Sequence, residues 1–259
     1  FWILFLFFFI ALFGPAFVPY DPLSYEAEAY VKPSADHWLG TNQLGQDIFS
    51  QLIFGTRTSI LVGLSVATCS TLLVIILGLL AGYFPRADQV INGLANILLV
   101  LPDLLFILII VAFTGGGIVQ LIVILSLLSW PGYTRMVRSA VLSLKEREFV
   151  KASQSFGGSD LYVLRAHILP HLRPILKTKF VLTCRHAILT EAGLAFLGLG
   201  DSNVVSWGSM LHAAFSQPII FFDSSWTWIV LPPVLLLTVL TLSLTFLLER
   251  NTKKKAPTK

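Results

Sequence analysis

The sequence predicts an all-α, polytopic membrane protein, and three observations carry that prediction. Hydrophobic residues fill 55% of the 259 positions and charged residues only 12%, with a mean hydropathy of +0.79. A soluble domain carries roughly a quarter charged residues. About six apolar segments approach or exceed the roughly 20 residues that a helix needs to cross hydrocarbon. The stretches between them alternate between acidic and basic. Dominance of apolar residues excludes disorder. Only Cys69 and Cys184 are present, both inside apolar runs, which excludes a disulfide scaffold and leaves them as packing thiols.

The segments are Phe1–Val18, Ser59–Phe84, Val90–Phe113, Ile118–Val137, Pro174–Leu199 and Trp228–Leu248. None shows the alternation of a barrel strand, and each can satisfy its own backbone as a helix. The first is aromatic throughout and lacks a small-residue cleavage site, so it reads as an uncleaved span. Residue 1 is Phe, which predicts that the natural chain begins upstream. The expected division is a first transmembrane helix at 1–19, an extracytoplasmic segment at 20–55, the main transmembrane domain at 56–250 with a loop at 143–170, and a basic tail at 251–259.

Charge sets the orientation. Tyr20–Gln51 holds Asp21, Glu26, Glu28, Asp36 and Asp47 against Lys32, and Gly200–Thr227 holds Asp201 and Asp223 without a base. Arg135–Lys179 carries Arg135, Arg138, Lys145, Arg147, Lys151, Arg165, Arg173, Lys177 and Lys179, and the tail adds Arg250, Lys253, Lys254, Lys255 and Lys259. Six spans place the basic loop and the C-terminus on one side, which the positive-inside rule makes the cytoplasm. The net charge of +4 is thereby explained without nucleic acid, and the tail is expected to meet anionic lipid headgroups.

Polar groups inside a span are costly and usually face the bundle interior or a wet cavity. The fifth segment holds Arg185, His186, Thr190 and Glu191, and the third holds Asp103. These are candidate lining residues of a translocation path, with structural ion pairing, or snorkelling of Arg185, as the competing reading. Arg185 and Glu191 are too far apart along one helix to pair, so each needs a partner elsewhere. Pro102 and Pro232–Pro233 predict kinks. Small residues from Gly193 to Gly200 suit close helix packing.

The basic loop is patterned. Leu144, Phe149, Val150, Ala152 and Phe156 recur at helical spacing with charges between them. Gly157-Gly158 stops that helix, Ser159 or Asp160 caps a second one over Leu161–Leu169, and Pro170 ends it. A short amphipathic helix is marginal alone and makes sense docked in a groove of another protein.

These residues resemble a known family, the permease subunits of ABC importers, specifically the C-type subunit of dipeptide, oligopeptide and nickel systems. The matching stretches are His37-Trp-Leu-Gly-Thr-Asn-Gln-Leu-Gly-Gln-Asp-Ile-Phe-Ser50, Gly55-Thr-Arg-Thr-Ser59, Ala81-Gly-Tyr83, Tyr133-Thr-Arg-Met-Val-Arg138, Arg147-Glu-Phe-Val150, His167-Ile-Leu-Pro170 and Phe196-Leu-Gly-Leu-Gly200. The family's cytoplasmic signature falls on Lys151-Ala152-Ser153, Gly157, His167 and Leu169-Pro170, with Lys, Ser and His replacing its Glu, second Ala and hydrophobic position. The resemblance implies a type I importer transmembrane domain in a bacterial inner membrane. It assigns coupling to an ATP-binding subunit to Glu148, Phe149, Lys151, Ala152, Ser153, Phe156, Gly157, Leu169 and Pro170. The implied partners are a homologous second permease, two ABC ATP-binding subunits and an extracytoplasmic solute-binding protein.

The chain carries no phosphate-binding Gly-x-x-x-x-Gly-Lys-Ser/Thr loop, so ATP and Mg are expected on partner subunits and no cofactor or catalytic residue is assigned here. His167 and His171 have metal-pair spacing, but Pro170 lies between them and no third ligand is evident, so no metal site is assigned. The competing class is an ATP-independent secondary transporter or channel, which the docking helix disfavours. A small peptide and a nickel or other metal chelate are both expected cargo classes.

Overall fold

The computed structural model describes residues 2–253 except 26, 218–221 and 223. The predicted acidic positions Glu26 and Asp223 and the tail beyond residue 253 lie outside the described residues. The elements, in chain order, are α1 (Trp2–Phe13) with a 3-10 turn (Gly14–Ala16), α2 (Ile48–Tyr83), α3 (Pro85–Val100), α4 (Asp103–Thr114), α5 (Ile118–Leu128), α6 (Pro131–Lys145), α7 (Glu148–Ser155), α8 (Asp160–Tyr162), a π turn (Val163–Ile168), α9 (Leu169–Phe196), α10 (Trp207–Phe215), α11 (Trp226–Ile229) and α12 (Leu231–Lys253). They form two compact units, one of Phe1–Leu64, Val111–Leu121 and Cys184–Lys259, the other of Ser65–Ile110 and Ile122–Thr183.

Among the described residues, the six expected apolar segments are helical, and the kink expected at Pro102 is present. Ile48–Tyr83 and Trp226–Leu248 are long and apolar enough to cross a membrane, and the number rises to 4 if each of two bent pairs is one span. The predicted third span is α3 and α4, bent by 87°. Pro102 disfavours a helical Leu101, whose ψ of 133° is extended. The predicted fourth span is α5 and α6, bent by 40°, with Pro131 opening α6. The first span is realised as a 12-residue helix that passes into the turn containing Pro15. The fifth begins earlier, at Leu169, and Lys179, Arg185 and Glu191 interrupt its apolarity. The sixth segment changes helix at Val230, between α11 and α12, and Pro232–Pro233 follow in the first turn of α12, where their missing N–H groups cost nothing.

In the first unit, the chain before α2 is organised by buried polar side chains. Asp47 caps α2, its Oδ2 accepting from the Ser50 N–H at 2.8 Å and the Ser50 hydroxyl at 2.6 Å. Its Oδ1 lies 3.0 Å from His37 Nδ1. Asn42 Oδ1 accepts from the Leu44 and Gln46 N–H groups, and Asn42, Gln46 and Gln51 bond one another. Trp207 is fully buried and donates from Nε1 to the Leu52 carbonyl at 3.2 Å. The predicted extracytoplasmic segment at 20–55 therefore passes into helix at Ile48.

The run of small residues after Gly193 acts mainly as a stop. Gly198 takes φ +80° after α9, with the Leu199 N–H donating to the Leu194 carbonyl. This geometry closes a helix and strains any residue with a Cβ.

The core of the second unit joins Val74, Ala81 and Tyr83 of α2, Ile91 and Ala95 of α3, Val137 and Val141 of α6, Val150 of α7, Val163, Leu164 and Ile168 of the π turn, and Leu172 and Leu176 of α9. Arg138 clamps Asp88 with both its Nε and Nη2, and Arg135 reaches Asn96, tying α6 to α3. The predicted end of a helix at Pro170 is overturned, since the chain continues as α9 through Pro170 and Pro174. Pro170 has no N–H, and its ring would clash with the carbonyl four residues back. Widening the preceding turn, with the Leu169 N–H donating to the Leu164 carbonyl, removes that conflict.

Candidate functional site

The docking segment is built on the end of α6. Lys145 closes that helix, Glu146 and Arg147 turn, and α7 follows. Lys151 meets Glu146 at 2.8 Å, and this hydrogen bond holds the exposed Glu146 carboxyl below the usual carboxylate range. One residue anchors α7: Val150 has 0% exposure in the core described above. Its neighbours face outward. Phe156 is 91% exposed and Phe149 41%, and Glu148, Lys151, Ala152 and Gly157 are exposed with them. The Phe149 ring stacks on His171 at 5.4 Å and lies 6.1 Å from His167.

The helix ends in a complete Schellman motif. Gly157 takes φ +82°, its N–H donates to the Gln154 carbonyl, and the Gly158 N–H donates to the Ser153 carbonyl, both at 3.0 Å. The Ser159 hydroxyl then caps α8 by accepting from the Tyr162 N–H. The predicted residues thus separate into two groups. Glu148, Phe149, Lys151, Ala152, Phe156 and Gly157 share the exposed segment, with Ser153 half-buried at its side. Leu169 packs on the core and Pro170 sits at the junction of the π turn and α9, so these two shape the support and not the outward face.

The interior candidates also have defined surroundings. Arg185 donates to the Thr245 hydroxyl of α12 at 3.1 Å. Glu191 is 4% exposed, and its Oε2 has no hydrogen-bond partner. No ion pair joins Arg185 and Glu191. Thr190 is half-buried and His186 exposed, and Asp103 is exposed in the first turn of α4. No group of three or more His, Cys, Asp or Glu able to hold a metal gathers among the described residues.

Two features lay outside the sequence expectations. Lys179, within the predicted fifth segment, is fully buried, 2.5 Å from the Ser70 hydroxyl and 3.2 Å from that of Thr71 on α2. Its register was the available signal, because Leu172, Leu176, Lys179 and Thr183 form one buried stripe. Tyr83 is the second. Its hydroxyl donates to Asp160 Oδ1 at 2.7 Å and accepts from Gln154 Nε2 at 3.0 Å. Its carbonyl accepts from Lys145 Nζ at 3.1 Å.

Apolar helices broken at prolines, a polar helix held between them on a glycine stop, and the absence of any β-strand among the described residues define an all-α polytopic membrane protein. Residues 74–256 match the family described as binding-protein-dependent transport system inner membrane component, and the chain belongs to that family of ABC importer permeases. It is 37% identical over 238 residues to a peptide permease protein of Brucella suis biovar 1, which covers 91% of this chain and 78% of that relative. It is also 37% identical over 247 residues to the di/tripeptide transport system permease protein DppC of Pseudomonas aeruginosa, covering 91% of this chain and 80% of that relative. In fold it is similar to a chain of the MetNI methionine ABC transporter, with a TM-score of 0.62 and 18% identity over 80% of this chain and 97% of that one.

Proposed function

We propose that this chain is one of two permeases in an ATP-driven importer of small peptides, worked by ATP-binding subunits that grip α7 from the cytoplasm. The observation that carries the reading is the outward face of α7. An eight-residue helix would not persist alone in water. Here it is fixed by buried Val150 and a Schellman stop, while Phe156 and Ala152 stay open to solvent and Phe149 and Lys151, though each touches a neighbour in this chain, keep an exposed side. A cleft on a nucleotide-hydrolysing partner supplies the missing contact, with ATP and Mg held there. A homologous permease completes the path, a solute-binding protein delivers cargo on the other side, and the C-terminus lies in the cytoplasm.

The names of the relatives favour peptide cargo over a metal chelate. Arg185, His186, Thr190, Glu191 and Asp103 are the proposed polar groups of the path; Arg185 is open enough to meet a peptide carboxylate, while buried Glu191 would act by shaping the site. The test is uptake by the assembled complex in vesicles. The expected result is ATP-dependent accumulation of di- and tripeptides in the presence of the solute-binding protein. ATP-independent flux through this chain alone would assign it to the carriers or channels, and uptake confined to nickel, cobalt or zinc chelates would overturn the peptide assignment.

A further inference from the structure

The sequence reads Gly157-Gly158 as the stop that separates α7 from the chain that follows. The structure places a staple across it. Gln154 lies just before the glycine stop and Asp160 just after it, and the Tyr83 hydroxyl bonds both, at 3.0 Å and 2.7 Å. Tyr83 is the last residue of α2, is 5% exposed and belongs to the core that also holds Val150. Its carbonyl takes the Lys145 ammonium at 3.1 Å, and that ammonium stands 4.9 Å over the tyrosine ring. The ends of α2, α6 and α7 and the start of α8 therefore converge on one side chain. A second tie lies further along α2, where Ser70 and Thr71 take the buried Lys179 ammonium of α9.

We propose that Tyr83 is the positioning residue that locks the glycine turn and makes α7 move as one body with the end of α2. This rests on the docking role proposed for α7. A hydroxyl that bonds one flank of a turn restrains that flank; one that bonds both flanks removes the turn's freedom. Displacement of α7 by a bound partner then reaches α2 directly and is not absorbed at Gly157. The ring alone does not do this, because packing against the core tolerates sliding whereas the two hydrogen bonds fix direction and distance.

Tyr83→Phe removes the two hydroxyl bonds and keeps the ring. Amide hydrogen exchange on the full chain in detergent should show residues 148–162 exchanging about tenfold faster than in the unmodified protein, as expected for loss of two part-buried hydrogen bonds. Asp160→Asn retains an acceptor and should exchange like the unmodified chain, whereas Asp160→Ala loses one of the two bonds and should fall between the unmodified chain and Tyr83→Phe, with no gain over Tyr83→Phe in the double variant. In the assembled transporter, Tyr83→Phe should keep ATP hydrolysis within about twofold while peptide taken up per ATP falls at least fivefold, on the order expected when a coupling contact is lost. A purely structural tyrosine would lower hydrolysis and uptake together. Unchanged exchange at 148–162, or an unchanged ratio of uptake to hydrolysis, overturns the proposal. If the unmodified complex shows no ATP-driven uptake, the importer assignment fails, and the exchange comparison still decides whether Tyr83 locks the turn.

Discussion

At the scale of single residues, the interior candidates differ in what they cost the fold. Glu191 is 4% exposed, and its Oε2 has no hydrogen-bond partner. A polar group buried this way is unfavourable, so Glu191→Leu is expected to leave thermal stability unchanged or raise it. Uptake should nevertheless fall about tenfold, on the order of the loss of one buried polar group that shapes the path. Arg185→Leu removes the bond to Thr245 and should impair uptake with membrane insertion intact. Melting curves and uptake measured on the same preparations separate the two effects, and full uptake in both variants would reduce these residues to packing. The sequence made Arg185 and Glu191 visible because charge inside an apolar run stands out. It hid Lys179, which sits among basic neighbours of similar appearance: Lys177 is exposed and Lys179 fully buried, and only helical register distinguishes them.

At the scale of elements, α7 is the clearest case of local sequence setting local form. The spacing of its apolar residues and the following glycines announced a short helix with a stop, and the structure has both. What the spacing could not say is which apolar residue turns inward. Val150 does, while Phe149 and Phe156, larger and equally apolar, remain outside. Gly157→Ala places a Cβ at φ +82° and should destabilise the segment by about 1 kcal/mol. Gly157→Pro cannot adopt that angle at all and should uncouple ATP hydrolysis from uptake while leaving the protein in the membrane. Cargo-stimulated hydrolysis and uptake of the two variants check this, and unchanged values in the proline variant would count against docking at α7. The helix predicted to end at Pro170 shows the opposite lesson. Proline was read as a terminator, but a π turn of six residues absorbs its steric demand and lets α9 run on. A one-residue change in helical register is a tertiary accommodation and leaves no mark in hydrophobic spacing.

At the scale of the whole molecule, composition and charge alternation sufficed for the class, while the count and shape of the crossings did not follow from run length. A run of apolar residues looks the same whether its backbone is straight or folded back, as α3 and α4 demonstrate with their angle of 87°. Length misled in the other direction for α2. Its 36 residues extend about 54 Å, well beyond the hydrocarbon thickness of about 30 Å, because Asp47 starts the helix long before the apolar run begins. Asp47→Ala should therefore fray the beginning of α2 and lower the thermal midpoint, at a cost of about 1–2 kcal/mol for the lost cap. Asp47→Asn keeps an acceptor for Ser50 and should recover most of it; equal midpoints for the two variants would show that the cap contributes little.

The sharp corner at Leu101-Pro102 carries a requirement of its own. Apart from the Leu98 carbonyl, which takes the Leu101 N–H, the last turn of α3 there runs out of amide donors, and the Asp103 carboxylate stands exposed one residue past Pro102. Acyl chains can solvate neither. Wherever this corner meets hydrocarbon, those groups require water or another polypeptide beside them.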